Sequence, residues 1–130
     1  MSEERKKRLA KLVVLQRRLK DFHETRHSGH VAAAHAAEDE AHDLIRRFDD
    51  PGSLSSLFPD VYHARIAGAF TRRDRSLASA EEEARLVAAA TLRTNMVEDA
   101  YRDVSRDVEE KAADKERLEI VERKFTGGGR

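Results

Sequence analysis

The sequence predicts an all-α fold in which two long helices form an antiparallel coiled-coil hairpin, with the second helix longer than the first. The chain has 130 residues, of which 38% are charged and only 5% are aromatic, and it is rich in Ala, Glu, Lys, Leu and Arg. This composition is typical of long helices. The only two prolines, Pro51 and Pro59, lie close together and separate two helix-forming tracts. These observations predict a single helical-hairpin domain over residues 1–130.

The first tract predicts a helix over about residues 4–48. Its apolar and small residues recur in steps of three and four, which places them on one face of a helix. The spacing slips between Ala33 and Ala41, as a stutter in a coiled coil would. The predicted stripe consists of Leu9, Leu12, Leu15, Leu19, Phe22, Gly29, Ala33, Ala37, Ala41, Leu44 and Phe48.

Residues 49–58 form the predicted connection between the helices. Leu54, Leu57 and Phe58 are apolar residues within it and predict a short helical turn at the tip of the hairpin. Pro59 is favoured in the first turn of a helix, and Asp60 beside it suits the positive end of the helix dipole. The second helix is therefore expected to begin at Pro59.

The second tract predicts a helix over about residues 59–125. The glycines that follow are expected to end it, which leaves a disordered tail over residues 126–130. Its apolar stripe is predicted to contain Ile66, Phe70, Leu77, Ala80, Ala84, Val87, Thr91, Val97, Tyr101, Val104, Val108, Ala112, Leu118, Val121 and Phe125.

Charge supports an antiparallel register. If the chain folds back near residue 54, position i lies opposite position 108 minus i, and acidic segments then face basic ones. Arg26 is predicted to lie near Glu81, Glu82 and Glu83, with Glu82 as its pairing residue. The acidic residues Glu38, Asp39, Glu40 and Asp43 are expected opposite Arg65, Arg72 and Arg73, and the basic start opposite Glu98, Asp99 and Asp103.

Residues 1–20 contain eight basic and two acidic residues, although the whole chain has no net charge. Such a basic segment can indicate nucleic acid or an anionic membrane. Because the total charge cancels, complementarity to another part of the fold is favoured. The basic residues lack interleaved aromatic residues, so no nucleic-acid partner is expected.

The second helix outruns the first in this register. Residues from Asp107 to Phe125 are expected to find no helix beside them, yet they include apolar residues that a lone helix would leave in water. The alternatives are a different register or a frayed end. The candidate partner-binding residues are Val108, Leu118, Val121 and Phe125, together with Arg5 and Arg8 at the start of the chain.

The segment from His23 to His27 has the sequence HETRH, which matches the zinc-peptidase motif HExxH. The longer metzincin motif does not fit, because Gly29 and His30 come too early. A metal clip of two histidines with a carboxylate is a further alternative, with His23, His27 and His30 as its candidates. The favoured interpretation is that these histidines line the contact between the helices. We expect no catalytic residues, no metal and no cofactor, and hence no enzyme.

There is no cysteine, which fits a reducing compartment. The basic start is not followed by the apolar region of a secretion signal, and no apolar run approaches the ~20 residues of a membrane span. These features predict a cytoplasmic protein without direct membrane insertion.

The opening RLAKLVVLQRRL, from Arg8 to Leu19, the length, the central break and the longer second helix resemble the stalk family of flagellar and type III secretion export, the FliJ/YscO-like proteins. This resemblance implies a non-enzymatic coiled coil that links an export ATPase ring to the membrane export gate and to substrate chaperones. It implies a location at a membrane export complex, with Arg5 to Leu19 and Val97 to Phe125 facing the ring. The alternative is a coiled-coil adaptor or chaperone that forms a homodimer through the end of the second helix.

Overall fold

The structure, a computed structural model, describes residues 2–127 and contains two long helices joined by a short connection. Helix α1 spans Ser2–Asp49, a 3₁₀ turn spans Leu54–Ser56, and helix α2 spans Pro59–Gly127. The two helices pack against each other as an antiparallel hairpin, and no strand occurs within residues 2–127. The predicted all-α hairpin, with a longer second helix and a helical turn at its tip, is confirmed.

The helix bounds differ slightly from the predicted ones. Helix α1 begins at Ser2 rather than residue 4, and α2 continues through Gly127 rather than ending at residue 125. The Thr126 hydroxyl donates a hydrogen bond to the carbonyl oxygen of Glu122 at 2.8 Å, within the last turns of α2. Residues 128–130 of the predicted tail lie outside the described residues.

Side-chain hydrogen bonds shape the connection. The Asp50 carboxylate accepts a bond from the Gly52 amide at 3.0 Å, which starts the turn. The Ser53 hydroxyl accepts a bond from the Ser55 amide at 3.3 Å and caps the 3₁₀ turn. The buried Ser55 hydroxyl in turn donates to the carbonyl oxygen of Phe48 at 2.8 Å. Because that carbonyl is near the end of α1, Ser55 joins the tip to the helix.

The packing divides into two units. The hinge unit is Lys20–Ala89, and the terminal unit is Met1–Leu19 with Ala90–Arg130. The apolar residues buried in the hinge unit are mostly alanines, namely Ala34, Ala37, Ala41, Ala69 and Ala80, together with Leu44. The terminal unit buries Val13, Ala90, Thr94 and Val104. Small residues at these positions allow the helix axes to approach closely.

The predicted stripe of α1 is wrong from Leu12 to Ala33. Leu12, Leu15, Leu19 and Phe22 are 38–54% exposed, whereas Val13 is buried. Gly29 and Ala33 of the predicted stripe are exposed as well. The residues that α1 turns toward α2 follow an unbroken alternation of three- and four-residue steps, without the predicted slip. In the terminal unit these seam residues are Leu9, Val13 and Gln16; in the hinge unit they are Lys20, His23, His27, His30, Ala34, Ala37, Ala41, Leu44 and Phe48.

Spacing explains this correction. Leu12 and Leu15 each come immediately before a residue that faces α2 in the terminal unit, namely Val13 and Gln16. One residue along a helix corresponds to about 100° around its axis, so these leucines lie on a different face from buried Val13. In α2, Leu77, Ala84 and Ala112 of the predicted stripe are likewise exposed.

Neither helix contains, within residues 2–127, a stretch that is long and apolar enough to cross a membrane.

Candidate functional site

A charged cluster lies in the hinge unit, where His23 and Arg26 of α1 meet Glu83 of α2. The Nδ1 atom of His23 is 2.8 Å from Oε2 of Glu83, and Nε of Arg26 donates to Oε1 of the same carboxylate at 2.8 Å. Glu83 is only 7% exposed. One buried carboxylate therefore receives two groups from the neighbouring helix, and each of its oxygens has a partner.

The partners of Glu83 favour its charged form. The hydrogen bond from Arg26 holds the pKa of the Glu83 carboxyl below its usual value, and the contact with His23 acts in the same direction. Burial opposes this shift but does not reverse it. Glu83 is therefore an anion at neutral pH, and it links the helices electrostatically within the packed row.

Within the run Glu81–Glu83 that was predicted to lie near Arg26, the residue that binds it is Glu83 rather than Glu82. Glu83 lies on the 3-4 row of α2 that includes Ala80, while Glu82 is exposed. A displacement of one residue along a helix moves a side chain by about 100° around the axis, so only one of two adjacent glutamates can face α1.

The three candidate metal ligands, His23, His27 and His30, lie in different surroundings. The ring of His23 contacts Glu83, while His27 lines an open groove with Glu24, Ser28, Ala84 and Val87. His30 is half-buried in the row that faces α2. Within residues 2–127, no three side chains of the metal-binding types gather in one place. The HETRH segment thus contributes to helix pairing, as the favoured interpretation expects.

Acidic and basic residues meet elsewhere in the hinge unit much as the register predicts. Glu40 binds Arg72 at 2.9 Å, and Glu38 lies 3.6 Å from Arg73. Asp43 instead pairs with Arg46 on its own helix. The predicted facing of the acidic run and the arginines is therefore confirmed at the Glu40–Arg72 and Glu38–Arg73 pairs, whose partners lie about one turn from the positions that 108 minus i gives.

In the terminal unit the basic start of α1 finds less acidic charge on α2 than predicted. Arg17 binds Glu98 at 2.8 Å. Asp99 and Asp103 were also expected opposite the basic start of α1. Each instead pairs with an arginine three residues later in α2, namely Arg102 and Arg106. Arg5 and Arg8, two of the candidate partner-binding residues, are exposed.

The unpaired part of α2 begins later than predicted. Ser2 of α1 reaches Asp107, with its hydroxyl 3.4 Å from the carboxylate, and Val108 is half-buried beside Ser2 and Glu3. By contrast, every residue from 114 to 127 is exposed. We call this exposed segment, residues 114–127, the α2 end. It contains three of the candidate partner-binding residues, with exposed fractions of 63% for Leu118, 47% for Val121 and 80% for Phe125.

Two features differ from the predicted stripes, namely the burial of Glu83 within the run Glu81–Glu83 and the exposure of the leucines of α1. The signals lay in the spacing: alternating steps of three and four backward from Ala41 reach Val13 in α1, and a step of three from Ala80 reaches Glu83 in α2.

Comparison with protein-family models, with curated proteins and with solved structures finds no significant match to this chain.

Proposed function

We propose that this protein is a non-enzymatic helical-hairpin adaptor that binds a protein partner through the α2 end. The observation that carries the proposal is the exposure of Leu118, Val121 and Phe125 in a segment where every described residue is exposed. An isolated helix gains little stability from its own hydrogen bonds, so an apolar row on it favours a partner that covers it.

The spacing of these residues indicates what kind of partner fits. Alternating steps of three and four from Val108 reach Leu118 and Phe125, so both continue the row by which α2 contacts α1 in the terminal unit. A surface that continues a coiled-coil row is best covered by another helix with an apolar stripe. The partner is therefore expected to present a helix to the α2 end.

In its specific form, we propose that the protein acts as a stalk in a flagellar or type III secretion export apparatus. The hairpin fold and the longer second helix support this role, since the resemblance implies that the end of the hairpin meets an export ATPase ring. The engagement of His23, Arg26 and Glu83 with one another supports a binding role over a catalytic one.

A binding experiment with matched variants tests both levels of the proposal. The purified chain is titrated onto a hexameric export ATPase, and ATPase rate and affinity are measured. The double variant Leu118→Ser, Phe125→Ser should weaken binding by about tenfold or more, because buried apolar anchors dominate helix interfaces. The control Ile120→Ser removes an apolar residue of 46% exposure that lies off the row, and it should leave affinity within about twofold.

The outcomes separate the alternatives. If the ATPase does not bind, the export role is wrong. If the chain sediments as a homodimer that the double variant dissociates, the α2 end serves self-association instead.

A further inference from the structure

The start of α1 carries a second exposed surface, on a different helix from the α2 end. Leu12, Leu15 and Leu19 have exposed fractions of 41%, 50% and 38%. Because they are separated by three and four residues, they lie on one face of α1. That face is not the one turned toward α2, where Val13 is buried.

Cations flank these leucines. Arg8 precedes Leu12 by four residues, and Lys11 and Arg18 lie four residues before and three residues after Leu15, so each cation is a neighbour on the helix surface. All three cations are exposed. We call this surface, formed by Arg8, Lys11, Leu12, Leu15, Arg18 and Leu19, the basic leucine face.

The positive charge of this surface is not neutralised by α2. Residues 2–19 contain seven basic and two acidic residues. Glu98 is occupied by Arg17, and Asp107 lies 3.3 Å from Lys111 of its own helix. Two further carboxylates, those of Asp99 and Asp103, are also bound within α2. In the described part of the chain, none of the three cations of the basic leucine face forms an ion pair.

We propose that the basic leucine face adsorbs to a membrane surface rich in anionic lipid. Leucine side chains enter the boundary between headgroups and acyl chains, while the cations bind lipid phosphates. The helix lies on the bilayer without spanning it. Exposed leucines beside cations that form no ion pair match the chemistry of an anionic membrane surface.

The distribution of charge favours lipid over a partner helix. Arg5, Lys6, Lys7 and Arg8 are consecutive, so their charges point to all sides of the helix. A partner helix requires charges at fixed flanking positions, whereas lipid headgroups rearrange around any distribution.

Vesicle flotation of the full-length chain tests the proposal. The chain should float with vesicles of phosphatidylcholine and phosphatidylglycerol, but not with vesicles of phosphatidylcholine alone. The variant Arg8→Glu, Lys11→Glu should reduce the bound fraction about tenfold, and Leu15→Ser should also reduce it. Binding should weaken as salt is raised.

A charge-matched control locates the effect. The variant Arg75→Glu, Arg85→Glu changes net charge by the same amount, at exposed positions in the hinge unit. It should bind vesicles as the unchanged chain does, with the same helical content by circular dichroism. Equal loss in this control overturns the assignment to α1. The proposal is overturned if the unchanged chain does not bind anionic vesicles. That result also overturns it if the basic leucine face is found to bind a protein instead.

This inference is independent of the adaptor proposal, because Leu118→Ser, Phe125→Ser should leave flotation unchanged. Each proposal can therefore fail without the other.

Discussion

At the scale of single residues, Glu83 shows how one position can combine packing with charge. It occupies a place in the α2 row where an apolar residue would be expected, and it is buried. Its cost of desolvation is offset because both carboxylate oxygens have partners on α1. Such a buried polar group can also fix the register between two helices, since a shift would leave it unpaired.

Glu83 is expected to make stability depend on pH. A carboxyl group with a lowered pKa in the folded state stabilises the fold above its unfolded pKa, and that stability is lost as the pH falls through the folded pKa. The variant Glu83→Gln should therefore melt a few degrees lower at pH 7. This difference in melting temperature should persist as the pH falls to about 4.5, the pKa of the carboxyl group in the unfolded chain, and should shrink below that pH. Thermal melts followed by circular dichroism measure it.

The neighbouring glutamate provides the control. Glu82→Gln removes the same charge from an exposed position and should leave the melting temperature nearly unchanged. Equal effects of the two variants would mean that the contacts with Arg26 and His23 contribute nothing specific.

At the scale of the helices, small residues control how closely α1 and α2 approach. Ala41 and Ala69 are both fully buried. Ala41 is flanked by Glu40 and His42, which contact Arg72 and Phe70 respectively, so Ala41 and Ala69 lie at the same level of the hinge unit. A larger side chain at Ala41 would have to push the helices apart.

The variant Ala41→Leu should consequently lower the free energy of unfolding by about 1–3 kcal/mol, the usual cost of overpacking a close contact. Urea denaturation measures this loss. The matched variant Ala32→Leu adds the same atoms at an exposed position of α1 and should stay within about 0.5 kcal/mol. An Ala41→Leu chain as stable as the unchanged one would show that the helices can separate there freely.

The helices were predictable from the sequence, but the face that each one buries was only partly so. Proline placement and the 3-4 spacing predicted α1, α2 and the tip, because these depend on local backbone preferences. The leucines of α1 misled the assignment, since hydrophobicity alone favours Leu12 over Val13. Which face of α1 is buried depends on the small residues that permit close packing of the helices. Glu83 could be distinguished from Glu82 as the buried glutamate only once the buried face of α2 was known.

At the scale of the whole molecule, the residues that hold the hairpin together differ from the exposed residues that are proposed to bind partners. The fold needs the rows that pair α1 with α2. The α2 end extends beyond the part of its row that pairs with α1, and the basic leucine face lies beside the row of α1, so both surfaces are free to change without loss of the hairpin. This separation explains why the fold could be predicted from periodicity, while the partner could not, since exposed residues are not constrained by the packing.

Truncation tests this separation. A chain ending at Ala113 lacks only residues that are exposed or outside the described part, so its melting temperature should stay within about 2 °C of the full chain. Its affinity for the helical partner should be lost, because Leu118 and Phe125 are removed. Melts at several protein concentrations distinguish the alternative. A full-length chain whose melting temperature rises with concentration, while that of the truncated chain is lower and constant, would mean that the α2 end stabilises a homodimer.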